Sequence, residues 1–264
     1  MISFAEQWAR WHDEHERRRA APHGFLAITG LHWLTGTPQR FPGVPGKWHA
    51  EPDAIVAALE SGERRFPAGE DATLRHGDLE IEVTWRGGQG VLRPRDPAHR
   101  TRVEYRGTPA YAPDEKWAVP GRFVPFDEPR PVTVGSVVEG LEHVYESPGR
   151  LEFTVGGRDL SLTAFNGSTP GSLFVLFTDA TSGITTYPAN RSLTVPAPEP
   201  DGSVTIDFNR ATNLPCAYTE FATCPLPPAE NRLPVPVEAG ERLGSVDGGT
   251  AGASGGADRH PFHR

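Results

Sequence analysis

Sulfur is scarce in this chain. Its 264 residues include two cysteines, Cys216 and Cys224, and one methionine. Two thiols exclude a disulfide-framed scaffold. Long apolar runs are missing as well. No stretch approaches the roughly 18 apolar residues of a membrane-spanning helix, so no membrane partner is expected. The opening, MISFAEQWARWHDEHERRRAA, lacks the basic start and apolar run of a secretory signal, and the expected location is cytoplasmic. Positive charge is short too: Lys and Arg total 26 against 34 Asp and Glu, a net charge of −8. Nucleic-acid binders carry a basic footprint, so no nucleic acid is expected. There is no GxxxxGK[ST] phosphate loop and no dinucleotide fingerprint after a strand.

Turn formers are abundant, with Gly 29 and Pro 27. They favour many short elements over long helices. Hydrophobic residues at 37% and charged residues at 23% fit a globular chain with a sizeable core. Ser3 to Ala20 predicts a helix. Ser3 and Glu6 have capping-box spacing, Phe4, Trp8 and Trp11 share one face, and Pro22 ends the run. Gly24 to Leu34 fits either a buried strand or a short helix. Lys47 to Ala50, Ala54 to Leu59 and Ala72 to Leu74 read as short strands. Leu79 to Trp85 alternates, with Leu79, Ile81 and Val83 inward and Glu80, Glu82 and Thr84 outward. Gly87-Gly88 then turns the chain into a hairpin with Gly90 to Arg93.

Further strands are expected at Pro131 to Glu139, His143 to Glu146, Leu151 to Val155, Leu160 to Phe165, Leu173 to Phe177, Ile184 to Tyr187, Ser192 to Val195 and Ser203 to Phe208. A turn is expected at Asp179 to Gly183. This rhythm predicts a mainly β protein: an antiparallel β-sandwich or barrel with an N-terminal α-helix. Residues 1–242 read as a single β-rich domain, and 243–264 as a flexible Gly/Ala/Ser-rich tail. Gly252-Ala253-Ser254-Gly255-Gly256 matches G-x-S-x-G. The nucleophile elbow needs a strained strand-to-helix turn, and a tail does not supply one. The sequons at Asn166 and Asn190 would be idle in a cytoplasmic protein.

No metal ligand set is expected. Seven residues separate Cys216 from Cys224, too many for a zinc knuckle, and no histidine lies between them. The remaining histidines are scattered, His260 and His263 among them in the tail. His12 and His15 lie one turn apart on a charged helix face, where solvent exposure is expected. Cofactors stay unassigned. Cys216 is a candidate nucleophile if a base or cation lowers its pKa, and packing as a small apolar side chain is the alternative. A Cys216–Cys224 bond in a reducing compartment would act as a redox switch. Between Arg100 and Phe126, basic residues beside aromatics (Arg102, Tyr105, Arg106, Tyr111, Lys116, Trp117, Arg122) can clamp a carboxylate or phosphate, or simply pack their stems on a sheet.

The densest polar stretch runs from Thr205 to Glu238. Its pieces are Asp207-Phe208-Asn209-Arg210-Ala211, Asn213-Leu214-Pro215-Cys216-Ala217-Tyr218, Ala222-Thr223-Cys224-Pro225-Leu226-Pro227-Pro228 and Glu230-Asn231-Arg232-Leu233, followed by Ala239-Gly240-Glu241. Together these closely resemble the bacterial domain-of-unknown-function family 1684. Phe177 to Gly183 with Thr186-Tyr187 and Arg191, Trp117 to Phe123, and Gly24 to Leu34 resemble its other signatures. Leu214 stands where that family usually has proline, and Asn190 where it usually has glycine. The resemblance implies a domain extent and no established catalytic residue, substrate or partner.

Buried polar side chains cost about 1–3 kcal/mol each unless paired. The polar set around this stretch therefore forms either a structural network or a ligand site. In the ligand reading, the partner is a small polar, anionic molecule, bound in a pocket built around the stretch. Arg191, Asn209, Arg210, Asn213, Asn231 and Arg232 would bind it. If there is turnover, Asp179 or Asp207 would act as base, with Tyr187 or Cys216 assisting. The alternative is a non-catalytic interaction or scaffold protein using its N-terminal aromatic helix.

Overall fold

A computed structural model describes residues 2–243. The G-x-S-x-G match, His260, His263 and the expected tail from residue 244 onward lie outside this range.

Helix α1 (Phe4–Arg19) forms where the capping box predicts it. Ser3 Oγ accepts from Glu6 N–H at 3.2 Å, and the Glu6 carboxylate accepts from Ser3 N–H at 2.8 Å, so two otherwise orphaned donors are satisfied reciprocally. Arg17, Arg18 and Arg19 sit at the negative end of the helix dipole. Gly24 to Leu34 resolves into a 3-10 turn, Phe25–Ala27, followed by the two-residue strand β1 (His32–Trp33).

Six strands follow: β2 (Lys47–Ala50), β3 (Ala54–Leu59), β4 (Gly62–Pro67), β5 (Ala72–His76), β6 (Leu79–Arg86) and β7 (Gln89–Arg95). They build two antiparallel sheets, ordered β2-β3-β4 and β1-β7-β6-β5. Trp48, Ile55 and Phe66 from the first pack against Leu74, Ile81 and Leu92 from the second. Gly87 and Gly88 have φ of +55° and +78° and close the β6–β7 hairpin, with Arg86 opposite Gln89. Two positive φ values in a two-residue loop are what a twisted hairpin requires. The alternation of β6 holds at Ile81 and Val83 but not at Thr84, which is fully buried. β4 has no sequence expectation because its Gly62-Glu63-Arg64-Arg65 start faces solvent.

The second half of the described chain starts with a short helix, α2 (Arg100–Val103). Seven strands follow: β8 (Ala118–Gly135), β9 (Glu142–Val155), β10 (Arg158–Asn166), β11 (Leu173–Phe177), β12 (Arg191–Val195), β13 (Ser203–Asp207) and β14 (Thr212–Asn213). They form one antiparallel sheet ordered β13-β8-β9-β10-β11-β12-β14. Its inner side chains, among them Leu151, Leu162, Val175, Leu193, Ile206 and Phe208, meet in one core. The sheet curls round that core without closing. Of the two expected architectures the fold is sandwich-like, and among the described residues no sheet becomes a barrel.

Two expectations are corrected. The separate strands expected between Pro131 and Val155 are parts of the long hairpin β8–β9, whose register shifts between Pro125 and Arg130. Prolines are tolerated there because β13 pairs only with Ala118 to Arg122 of β8, so the rest of β8 has a free edge needing no N–H. Ile184 to Tyr187 is not a strand. It belongs to a compact turn in which Thr181 O accepts from the backbone of residues 184, 185 and 186.

Candidate functional site

The polar segment begins as β13 ends. Asp207 Oδ1 accepts from Asn209 N–H at 3.1 Å and from Asn209 Nδ2 at 2.9 Å, which starts a 3-10 turn over Phe208–Arg210. Asn209 also bridges to the backbone of Asp114, receiving at 2.9 Å and donating at 3.0 Å. Its side chain is therefore fully engaged. The turn docks α1: Trp8 Nε1 donates to Asn209 O at 2.7 Å. Arg210 lies with its guanidinium 5.5 Å from the Trp11 ring centre and its Nε 3.1 Å from Asp207 Oδ2.

Asp179 and Arg191 meet in the interior. Arg191 Nη2 donates to Asp179 Oδ2 at 2.7 Å and to Val237 O at 3.0 Å, and Nη1 donates to Ala239 O. The other Asp179 oxygen accepts from Thr181 N–H, Thr181 Oγ1 and Val237 N–H. Burial pushes the Arg191 pKa down from its ordinary value against the pull of Asp179. Asn231 is equally enclosed. It accepts from Thr163 N–H at 2.7 Å and donates to Thr163 O and Leu176 O at 2.9 and 2.8 Å, spanning β10 and β11 where their ladder is short. These residues hold the 231–239 segment, which lacks a regular ladder, onto the sheet. Arg232 points to solvent.

A second group gathers Tyr187, Cys216 and Cys224. Cys216 N–H donates to Cys224 Sγ at 3.3 Å, and the Tyr187 hydroxyl donates to Cys216 O at 2.8 Å. Both thiols are free, Cys216 half-buried and Cys224 buried. A hydrogen bond from Cys224 pulls the Cys216 thiol down, while the same contact and burial push Cys224 up. Burial and the neighbouring Cys216 raise the Tyr187 hydroxyl. Nearby, Leu214 has φ of −79°, a value proline would also adopt, and packs with Phe165, Leu176 and Ala222. Asn190 is buried, with Nδ2 donating to Pro225 O at 2.7 Å.

The third group escapes the sequence reading. The inner face of α1 carries His12, His15, Glu16 and Arg19 against Tyr105, Thr108, Asn213, Tyr218 and Glu241. Arg19 Nη1 donates to Glu16 Oε1 at 2.7 Å, Tyr105 at 3.1 Å and Thr108 Oγ1 at 2.5 Å. Its Nη2 lies 2.7 Å from Glu241 Oε1 and donates to Oε2 at 2.9 Å. Asn213 N–H donates to the same Oε2 at 2.6 Å. Gly240 makes this possible. Its φ is +74°, and a Cβ there would lie 2.5 Å from Ala211 O, so only glycine lets the chain pass and deliver Glu241.

The expected exposure of His12 and His15 is corrected by this packing. His12 stacks on Trp8 at 4.7 Å and His15 on Trp11 at 5.4 Å. Burial, with Arg19 and Arg18 nearby, lowers the His15 pKa to about 4. Burial pushes the Glu241 carboxyl up against the pull of Arg19, which keeps its charge. Tyr105 is raised to about 12 by burial. The signal for these residues was the helical spacing of His12 with Glu16 and of His15 with Arg19, which puts each pair on one face.

A family model described as "Protein of unknown function (DUF1684)" matches residues 103–242. The chain belongs to this family. The DUF1684 span takes in Tyr105, Asp179, Arg191, both cysteines and Glu241, while α1 precedes it. No curated protein matches the chain. Among solved structures, it is similar to the solution NMR structure of an uncharacterized protein from Haloarcula marismortui. The two are 31% identical, with 53% of this chain and 78% of that one covered and a TM-score of 0.45.

Two clefts lie apart from the three groups of the DUF1684 chain. One of about 340 Å³ is bounded by His23, Asp71, Thr73, Glu80, Glu82 and Arg95. An open trough of about 840 Å³ crosses Gly121, Arg122, Phe153, Asp159 and Leu160. Neither contains a residue of the polar segment.

Proposed function

We propose that this protein binds a small, polar, anionic molecule beside the Phe208–Arg210 turn, with Arg210 as the group that contacts the anion. One observation supports the reading. Arg210 is half-exposed and laid on Trp11, with Nε beside Asp207 Oδ2. Among the described residues nothing accepts a hydrogen bond from its terminal nitrogens. A guanidinium backed by a ring and fixed at one edge presents its remaining fork for bidentate contact with a carboxylate or phosphate. By contrast, the terminal nitrogens of Arg191 and the side-chain amide of Asn231 are engaged within the fold. If turnover occurs, Asp207 is the carboxylate next to the bound molecule. The interaction-protein alternative rests on an aromatic helix face, and that face docks on the protein's own chain through Trp8 and Trp11.

The test combines native mass spectrometry of the full chain purified from its host with titration of inorganic phosphate and citrate into wild type, Arg210→Lys and Arg210→Ala. The reading expects a bound small molecule or measurable anion affinity in wild type, weakened about tenfold or more in Arg210→Ala, with Arg210→Lys intermediate. Equal anion affinity in all three proteins would remove Arg210 from the site.

A further inference from the structure

We infer that the inner face of α1 and the end of the DUF1684 span form a site for one divalent transition metal, ligated by His12, Glu16 and Glu241. One ligand atom from each lies within 4.8 Å of the other two. A tetrahedral zinc with bonds of about 2.1 Å needs ligand atoms roughly 3.4 Å apart, so a side-chain movement of about an ångström closes the set. His12 and Glu16 stand one helical turn apart on a single face. Gly240 brings Glu241 to that face from the far end of the described chain.

Two buried polar atoms support a cation site. His12 Nε2 is buried, with no hydrogen-bond partner among the described residues. Glu241 is 1% exposed, yet among the described residues its Oε1 receives no directed hydrogen bond: Arg19 Nη2, 2.7 Å away, donates to Oε2, and His15 Nε2 lies at 3.6 Å. Buried polar atoms in native folds are nearly always partnered. The residues that carry them, His12 and Glu241, belong with Glu16 to the same cluster of ligand atoms.

Charge argues the same way. Glu16 and Glu241 face one guanidinium, Arg19, which also donates to His15 at 2.8 Å. A carboxylate left without a full counter-charge in the interior either takes a proton or takes a metal. One imidazole nitrogen and two carboxylate oxygens form a borderline donor set that suits zinc or manganese, and three protein ligands leave a coordination position open. Arg19 stays in place by its bonds to Tyr105 and Thr108 and orients Glu16 from outside the metal.

The experiment is calorimetric titration of zinc chloride, with manganese chloride in parallel, into the EDTA-treated full chain. A Cys216→Ser/Cys224→Ser background removes competing thiols. The inference expects one metal per chain and an affinity at least about tenfold weaker in His12→Ala. Among the described residues His12 Nε2 has no hydrogen-bond partner, so its removal leaves the polar network intact. Should His12→Ala fail to fold by circular dichroism, His12→Gln is read in its place. Absence of stoichiometric binding in the parent, or equal affinity in the His12 variant, makes Arg19 the only cation of the cluster and overturns the inference. Neither outcome depends on Arg210, so this test and that of the anion site fail separately.

Discussion

Arg19 and Glu241 are 222 positions apart and form an ion pair, with Nη2 2.7 Å from one carboxylate oxygen and donating to the other at 2.9 Å. Both side chains are buried. The pair joins the N-terminal helix to the last described segment of the DUF1684 span, and the pH response of the fold depends on the groups around it.

His15 is the titrating neighbour. Its folded pKa is about 4 against an ordinary 6.5. Between these values the unfolded chain binds a proton that the folded chain refuses, so stability is full above pH 6.5 and falls as pH drops towards 4. The shift corresponds to a loss of order 3 kcal/mol across that window. His32 and His143, also lowered by burial, act in the same direction. Urea unfolding at pH 4, 5, 6 and 7 should show the decline, and His15→Gln should flatten it. An unchanged slope in that variant would assign the pH response elsewhere.

Arg191 and Asp179 should behave as a structural unit. Removing one partner of a buried, hydrogen-bonded pair costs about 3–5 kcal/mol. Asp179→Ala and Arg191→Ala are each expected to lose that much in denaturant unfolding. Arg191→Lys should also lose stability, because one ammonium cannot reach Asp179, Val237 and Ala239 from the positions a guanidinium spans. Full stability of Arg191→Lys would contradict this account.

Asn231→Ala leaves Thr163 N–H, Thr163 O and Leu176 O buried without their side-chain partner. Unsatisfied buried groups cost about 1–3 kcal/mol each, so a loss of at least about 2 kcal/mol is expected. Hydrogen exchange should quicken first at Thr163. An unaltered exchange rate there would show that water replaces the amide.

The cysteines should differ in reactivity. The Cys216 pKa is lowered by its hydrogen bond from Cys224, and Cys216 is the more exposed. Iodoacetamide should therefore label Cys216 first, with Cys224 resisting until the chain unfolds. Cys224→Ala should move the alkylation midpoint of Cys216 to higher pH. The same midpoint in both proteins would mean that Cys224 does not stabilise the thiolate.

What the sequence alone determined is what neighbours along the chain can decide. Ser3 and Glu6 close their box within one turn, Ile81 and Val83 alternate within one strand, and Gly87-Gly88 turns within two residues. Helix, hairpin and mainly β class followed, and the resemblance placed the family. The sequence also raised a Cys216–Cys224 contact and named Tyr187 and Cys216 as assisting groups, without joining all three. Tertiary structure decided the rest, because a side chain's environment is set by whatever packs on it. The same helical spacing that reads as a charged surface at His12, His15, Glu16 and Arg19 becomes an interior once Gly240 carries Glu241 across Ala211. Ile184 to Tyr187 has strand composition, yet Thr181 O gathers it into a turn. The contact between Arg19 and Glu241 spans nearly the whole described chain. No local pattern encodes such a distance, and only the closing of the sheet's last segment onto α1 brings the two together.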